Sequence, residues 1–430
     1  MKVLVVGGGG REHALVWKLS QSPRVTKLYC VPGNGGIASL AECVDICATD
    51  VRGVVNFAKS NDIGMTVVAP DDPLAMGMVD ALEENGLRAF GPRKAAAVIE
   101  SSKVFAKELM RKYGIPTAGY RVFGHFEEAV AALGKLHYPV VVKADGLALG
   151  KGVIPVSNEE EAEEALKSIM KEKKFGKAGN RVLIEEFLTG PEVSILAFTD
   201  GKTVVPMVSA QDHKKAYDHD KGPNTGGMGA ISPSPFYTPD VASWVERRII
   251  RPTAEAMNRE GRTFRGVLYF GLMLTPDGPR VLEYNARFGD PEAQVVLPRL
   301  KTDLMEIMEA VTEERLDKVS IEWKEEAAVC VVAASGGYPW SYKKGLPIHG
   351  LEQAEKEHDI LLFHAGTRQT GAGLVTNGGR VLGATAMGNT MEDAAEKAYR
   401  CIGAICFRDM QYRKDIGTEK AEKGKEWLKN

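Results

Sequence analysis

A buried-strand run at residues 2–6, apolar from Val3, passes directly into four glycines, Gly7 to Gly10, and then into a helical pattern over residues 11–20 with Ala14, Leu15 and Leu19 on one face. A short apolar run without alternation suits a strand buried on both faces, and such strands belong to parallel sheets. The unit then repeats. Residues 25–31 lead into Pro32-Gly33-Asn34-Gly35-Gly36, residues 65–69 end at Pro70-Asp71-Asp72-Pro73, and a short strand near 88–90 ends at Gly91-Pro92. Repeated strand–loop–helix units build a parallel sheet whose ligand loops lie at the strands' carboxyl ends, where each Gly/Pro cluster falls.

The chain has 430 residues, which at roughly 150 per domain implies about three domains. Its 46 glycines exceed the number expected at about 7% usage. The surplus belongs in loops where something approaches bare backbone. The 55 basic and 57 acidic side chains leave a formal charge of −2, so no basic surplus points to nucleic acid or a membrane surface. No apolar run reaches the ~18 residues of a membrane span. The N-terminal run is too short for a signal-peptide core before Arg11, Glu12 and His13. Cys43/Cys47 and Cys401/Cys406 lack paired zinc-site spacing, and the six cysteines read as reduced and mostly buried. The expectation is a cytoplasmic monomer whose partners are small molecules.

The centre is patterned differently. A helix over 102–113 precedes a hairpin, strands 139–143 and 153–156, with a long glycine-rich tip. An acidic helix at 159–164 and a strand at 181–187 follow. Residues 211–235 are polar with almost no periodicity. Strands 266–274 and 280–284 flank the turn Pro276-Asp277-Gly278-Pro279. Beyond 318, strands 327–334 and 380–387 and a helix from Met391 form an α+β unit, with Asn377-Gly378-Gly379-Arg380 read as a hairpin turn. The expected class is multidomain α/β and α+β. Its parts are a Rossmann-like N-terminal domain (1–101), a central domain (102–318) with a mobile lid (120–190), and a small α+β domain (319–430).

Neither glycine loop matches a common nucleotide motif. In a dinucleotide fingerprint the third glycine would fall at Glu12, and the second strand ends in Val31-Pro32 instead of an acid for a ribose. That disfavours nicotinamide and flavin but leaves a phosphate at the helix N-terminus open. Gly146 and Gly150 are one residue too close for a Walker loop, and Gly152 replaces its Ser/Thr. What remains is a lid carrying Lys151 beside Lys143, which suits either a phosphate or a solvated strand end. Strand alternation puts Glu283 and Asn285 on one face, two oxygen ligands of the kind Mg²⁺ takes beside phosphates. Arg287 on the same side suits an anion or developing phosphoryl charge; a plain Glu283–Arg287 salt bridge is the competing reading. His13 and His213 sit inside motifs; the other six histidines read as surface or packing residues.

Taken in order, Gly9-Gly10-Arg11-Glu12-His13, Pro32-Gly33-Asn34, Lys143-Ala144-Asp145-Gly146, Gly150-Lys151-Gly152, Glu185-Glu186-Phe187-Leu188, Gln211-Asp212-His213-Lys214, Gly222-Pro223-Asn224-Thr225-Gly226-Gly227-Met228-Gly229 and Arg287-Phe288-Gly289-Asp290-Pro291-Glu292 resemble the ATP-grasp superfamily. Within it they resemble the phosphoribosylamine–glycine ligase (glycinamide ribonucleotide synthetase) family along essentially the whole chain. The resemblance implies an ATP-grasp centre and a ligase that joins glycine to 5-phosphoribosylamine through glycyl phosphate, with ATP and Mg²⁺ or Mn²⁺. It implies Lys103, Lys143 and the Gly150-Lys151-Gly152 lid on ATP phosphates, backbone of Glu185, Glu186, Phe187 and Leu188 as a strand edge for adenine, and Glu192 on the ribose. Glu283 and Asn285 would hold the metal. Asp212, Lys214, Thr225, Gly226, Gly227, Met228, Arg287 and Gly289 would serve glycine and the acyl phosphate. Gly9, Gly10, Arg11, Glu12, Asn34 and Asp71 would hold phosphoribosylamine. Gly8 stands where the family usually has Asn, Asp71 where it has Glu, and Leu149 where it has Ala.

Overall fold

Residues 2–7 do form a strand, β1 (Lys2–Gly7), and it is the centre of a parallel sheet with β2 (Lys27–Pro32), β3 (Glu42–Cys43), β4 (Met65–Val68) and β5 (Ala89–Phe90) in the order β3-β2-β1-β4-β5. The computed structural model describes residues 1–148, 152–354 and 359–418. Val3 to Val6 are fully buried because helices cover both faces, as the unalternating run requires. The order reverses on either side of β1, so the loops after β1, β2 and β4 open together on one edge.

The expected hairpin is β7 (Val140–Ala144) with β8 (Val153–Val156), Lys143 opposite Val153. With β6 (Tyr120–Phe123) and β9 (Val182–Glu186) it forms the sheet β6-β9-β7-β8. This unit packs its own apolar core, including Ala129, Leu133, Val142, Leu166 and Ile184. The tip residues Leu149, Gly150 and Lys151 lie outside the described residues. One expectation is corrected: Glu185 is not on a strand edge. β9 is internal, and Glu185 pairs with Tyr120 on one side and Val141 on the other.

A third sheet, β11-β10-β16-β17, underlies the cleft. It comprises β10 (Glu192–Thr199), β11 (Val204–Pro206), β16 (Gly266–Thr275) and β17 (Gly278–Asn285). The patterning above predicts no strand at β10, although its Val193 to Phe198 run carries the signal; the chain buries it centrally. A bulge in the β16–β17 ladder sets Gly271 opposite Glu283 but Leu272 opposite Val281. The extra residue, Leu282, therefore faces the cleft together with Glu283.

The aperiodic stretch is also more ordered than expected. It contains β12 (Gln211–Asp212), β13 (Lys215–Tyr217), β14 (Lys221–Asn224) and β15 (Gly229–Ser232). β13 and β14 pair as a hairpin. β12 and β15 join β18 (Ala327–Ala334), β19 (Ile360–His364) and β22 (Arg380–Gly388) in the order β12-β15-β18-β22-β19. That sheet crosses the expected boundary at 318/319. β20 (Thr367–Thr370) and β21 (Gly373–Thr376) form a separate ladder. One apolar core runs from Val3 and Val5 through Leu196 and Phe198 to Cys330 and Phe363, so the ends of the chain share an interior. Of the six cysteines only Cys30, Cys330 and Cys401 are buried; Cys43, Cys47 and Cys406 are exposed, which corrects the expectation of mostly buried thiols. No helix among the described residues is long and apolar enough to cross a membrane.

Candidate active site

The loops of the first sheet, the β6–β9 unit, the β10–β17 sheet and the C-terminal sheet surround one cleft of about 1200 Å³. Arg11, Asp71, Lys103, Lys143, Gly152, Glu185, Glu186, Phe187, Leu188, Glu192, Asp212, Lys214, Thr225, Gly226, Glu283, Asn285 and Arg287 all line it. Gly9, Gly10, Glu12, Asn34, Gly227, Met228 and Gly289 stand behind that lining, while Gly150 and Lys151 lie outside the described residues.

At the N-terminal end, Gly9 caps the helix Gly10–Ser20, and Glu12 folds back to accept its N–H at 2.6 Å. The other Glu12 oxygen accepts from Arg11 Nε at 2.6 Å. Glu12 is 2% exposed, so its contribution is to fix the glycine turn and aim Arg11. Asn34 is likewise committed: its Nδ2 donates to the Gly8 and His364 carbonyls, and its Oδ1 accepts from the Gly36 and Ile37 amides. A Cβ on Gly8 would sit 2.4 Å from the Gly33 carbonyl oxygen, so the two loops approach too closely for any side chain there.

A buried Lys–Glu–Lys cluster forms the next wall. Glu185 Oε2 lies 2.8 Å from Lys143 Nζ and 3.0 Å from Lys107 Nζ. Lys107 also donates to Thr117 Oγ1 at 2.7 Å. Burial pushes the Lys107 ammonium down to about 8. Burial opposes ionisation of Glu185, but Lys143 and Lys107 outweigh it and hold the carboxyl below its ordinary range. Lys103, one helical turn before Lys107, donates to the Gly146 carbonyl at 2.9 Å. Beyond Glu186 the strand ends, and the Phe187 and Leu188 backbone faces the cleft without a ladder partner on that side.

At the end of β17 the Glu283–Arg287 bridge considered above does not form. Arg287 Nη2 pairs with Glu100 Oε1 at 2.8 Å, and Glu100 Oε2 accepts from the Ala286 N–H at 2.7 Å. Burial pushes the Glu100 carboxyl up, against the pull of Arg287. Glu283 instead shares Lys214 with Glu192, at 3.5 and 2.9 Å. Burial works against the Lys214 charge, but Glu192 and Glu283 outweigh it and hold its pKa well above the lysine value. With its amide oriented to satisfy both ends, Asn285 donates to the Tyr284 carbonyl and to Glu100 Oε1 at 3.1 Å each, which frees its oxygen. A carboxylate and an amide oxygen at one strand end fit a magnesium-type ion that takes its other ligands from phosphates and water. Among the described residues no group of three or more His, Cys, Asp or Glu forms a protein-only cage.

The remaining wall is acidic and closely packed. Asp212 Oδ1 is buried without a partner among the described residues. Burial, reinforced by Glu292, pushes the Asp212 carboxyl well above its ordinary range. Glu292 Oε1 accepts from Ser194 Oγ at 3.0 Å. Gly227 has φ +107°, and a Cβ there would lie 2.5 Å from Asp212 Oδ1 and 2.4 Å from Pro291 Cδ. Met228 is fully buried, its N–H donating to the His213 carbonyl. A Cβ on Gly289 would meet Glu292 Oε2 at 2.4 Å. Arg380 reaches in from the C-terminal sheet to the Asp290 carbonyl at 2.9 Å and to Asp290 Oδ2 at 3.2 Å, with Tyr338 and Tyr342 beside it. Its motif, a hairpin turn by local pattern but part of a domain that the resemblance implies helps wall the active site, lines the cleft. Sequence reasoning missed Glu100, Lys107 and Glu292. Lys107 had a signal in its i, i+4 spacing from Lys103; Glu100 had none, because its partners lie about 185 residues away.

Comparisons with known proteins agree along the chain. Residues 1–100, 101–293 and 328–419 match the N, ATP-grasp (A) and C domains of phosphoribosylglycinamide synthetase. The phosphoribosylamine–glycine ligase of Caldanaerobacter subterraneus subsp. tengcongensis is 52% identical over 418 residues, covering 97% of this chain and 100% of the relative. That of Halalkalibacterium halodurans is 50% identical, with 97% of each chain covered. Among solved structures, the phosphoribosylamine–glycine ligase of Thermotoga maritima superposes with a TM-score of 0.84 at 33% identity, covering 96% of this chain and all of that one. A biotin carboxylase from Campylobacter jejuni, at 14% identity and a TM-score of 0.74 over 96% of this chain and 92% of its own, shares the fold. The chain belongs to the phosphoribosylamine–glycine ligase family, ATP-dependent enzymes that make glycinamide ribonucleotide in purine biosynthesis.

Proposed function

We propose that both half-reactions take place in this one cleft, a glycine carboxylate being phosphorylated at one end and 5-phosphoribosylamine attacking from the other. In the first, a glycine oxygen bonds to the γ-phosphorus of ATP and ADP leaves. In the second, the amine nitrogen bonds to the acyl carbon, the carbon–oxygen bond to phosphate breaks, and the nitrogen loses a proton. A free amine is already nucleophilic, so the protein's task is positioning and charge stabilisation. Lys103 and Lys143 are assigned to the ATP phosphates, with the lid segment Gly150-Lys151-Gly152. The backbone of Phe187 and Leu188, where the chain leaves β9, is assigned to adenine, and Glu192 to the ribose. Glu283 and Asn285 would hold Mg²⁺ or Mn²⁺, which neutralises phosphoryl charge when bound. Arg287 is assigned to the transferred group.

The single observation that carries this reading is the convergence of cationic Lys103, Lys143 and Arg287 with Glu283 and Asn285 around one cleft. Asp212, with its unpaired buried oxygen beside Glu292, is suited to the ammonium of glycine, whose charge would favour the ionised carboxylate. Lys214, Thr225 and Gly226 border the same end, with Gly227, Met228 and Gly289 as the backbone behind it. Arg11 and Asp71 are assigned to phosphoribosylamine; Gly9, Gly10, Glu12 and Asn34 shape the loops that present them. We further infer a cytoplasmic monomer, in keeping with its charge balance and its exposed Cys43, Cys47 and Cys406.

The test is ADP release with phosphoribosylamine generated in situ. Release should require glycine, and alanine should not replace it. Bicarbonate-dependent release without glycine would instead favour a carboxylase-type reaction on the shared fold.

A further inference from the structure

One buried carboxylate, Glu100, holds the turn that carries Arg287. It ends the helix Lys94–Ser101, where the first sheet hands over to the central unit, and it is 8% exposed. Its Oε2 accepts the Ala286 N–H at 2.7 Å, just where the chain leaves the β16–β17 ladder and that amide has lost its strand partner. Its Oε1 takes Arg287 Nη2 at 2.8 Å, and the reoriented Asn285 amide donates to the same oxygen at 3.1 Å. Three consecutive residues thus rest on one side chain from a different part of the fold. Arg287 has few other restraints: Nη1 donates to the neighbouring Phe288 carbonyl at 3.2 Å, and Nε is buried without a partner among the described residues.

A long guanidinium at a strand end has many rotamers, and misplacement of a positioning group by about 1 Å can cost ~100-fold in rate. We propose that Glu100 is a positioning residue for the ligase reaction, fixing the Arg287 guanidinium toward the transferred phosphoryl group through paired side-chain and backbone contacts. This rests on Arg287 facing that group, as proposed above, but not on the identity of the acid or amine. A purely structural ion pair would show itself in stability; a positioning role shows itself in turnover.

Glu100→Gln keeps the volume and removes the charge. The expected result is a kcat lower by about 30-fold, KM for ATP and glycine within about threefold, metal-free ADP affinity by calorimetry unchanged, and a melting midpoint within a few degrees. Glu100→Asp, which keeps the charge, should recover part of the lost kcat. The proposal is overturned if Glu100→Gln turns over within twofold of the parent, if the loss falls on KM, or if Glu100→Asp is no better than Glu100→Gln. Should Glu100→Gln fail to fold, Glu100→Asp decides alone: a lower kcat at constant KM supports the role, and an unchanged kcat removes it.

Discussion

Lys107, Glu185 and Lys143 put two ammonium groups on one carboxylate oxygen in a nearly dry site. The arrangement is asymmetric in what it can lose. Removing Lys107 leaves a matched Lys143–Glu185 pair, so no buried charge loses its compensation. Removing the Glu185 charge leaves two buried ammoniums face to face. Lys107→Met should therefore change the unfolding free energy by no more than about 1 kcal/mol, and Glu185→Gln should cost about 2–3 kcal/mol at pH 7, read from urea midpoints. Lys107 already has its folded pKa depressed to about 8, below the unfolded lysine value near 10.4. That unfolded-state proton is common to both chains; because Glu185 holds the folded Lys107 pKa up, the Glu185→Gln deficit should shrink as pH rises toward about 8, where Lys107 of the parent loses its proton too. Equal losses in the two variants would refute the charge argument. At this scale the sequence showed residue types but not pairings. Lys143 and Glu185 belong to recognisable strings, yet their meeting depends on the β7–β9 register.

The hairpin β13–β14 is the element that local pattern conceals most completely. Its strands are three and four residues long, too short to alternate visibly, and its tip places His219 and Asp220 at positive φ. Non-glycine residues in that region cost of order 1–3 kcal/mol unless something holds them. Arg413, whose side chain is fully buried, does so from the far end of the chain. It pairs with Asp220 and Asp415 at 2.7 Å each, while Asp415 accepts the His219 N–H at 2.8 Å. The hairpin begins one residue after Lys214 and ends one before Thr225, so this latch supports one side of the cleft. Arg413→Met should lower stability by about 2 kcal/mol because the partly buried Asp415 loses the guanidinium that pairs with it. It should also raise the KM for glycine more than it changes the KM for ATP, whose assigned residues lie on other elements. A uniform effect on both constants would argue against the latch. By contrast, β1 and its glycine turn were plain from sequence, since a buried parallel strand and a helix start both have local signatures.

Across the whole molecule, the first and last sheets meet at a junction that no local pattern announces. His13, on the first helix, accepts the backbone N–H of His364 at the end of β19, 2.8 Å from its Nδ1. His364 Nδ1 lies 3.1 Å from Thr367 Oγ1, and its carbonyl receives Asn34. Two solitary histidines some 350 residues apart leave no trace in spacing; only the shared apolar core brings them together. Burial pushes His13 down to about 3, with His364 adding to the shift, and burial pushes His364 down to about 4. Protonating His13 at Nδ1 would also set two N–H groups against each other. Both folded pKa values lie below the unfolded value near 6.5, so the stabilisation is complete above about pH 6.5 and is lost progressively as pH falls toward 4. Each ring contributes a slope of at most about 1.4 kcal/mol per pH unit in that window. His13→Asn, whose Oδ1 can take over the acceptor position, removes one titrating ring without opening the junction. Urea unfolding between pH 7 and 5 should therefore give a shallower loss of stability for His13→Asn than for the parent. The two should converge as the pH is lowered, since the variant pays its cost chiefly near neutrality, where the ring packs against Phe363. Parallel pH profiles would mean that titration of His13 does not govern acid stability.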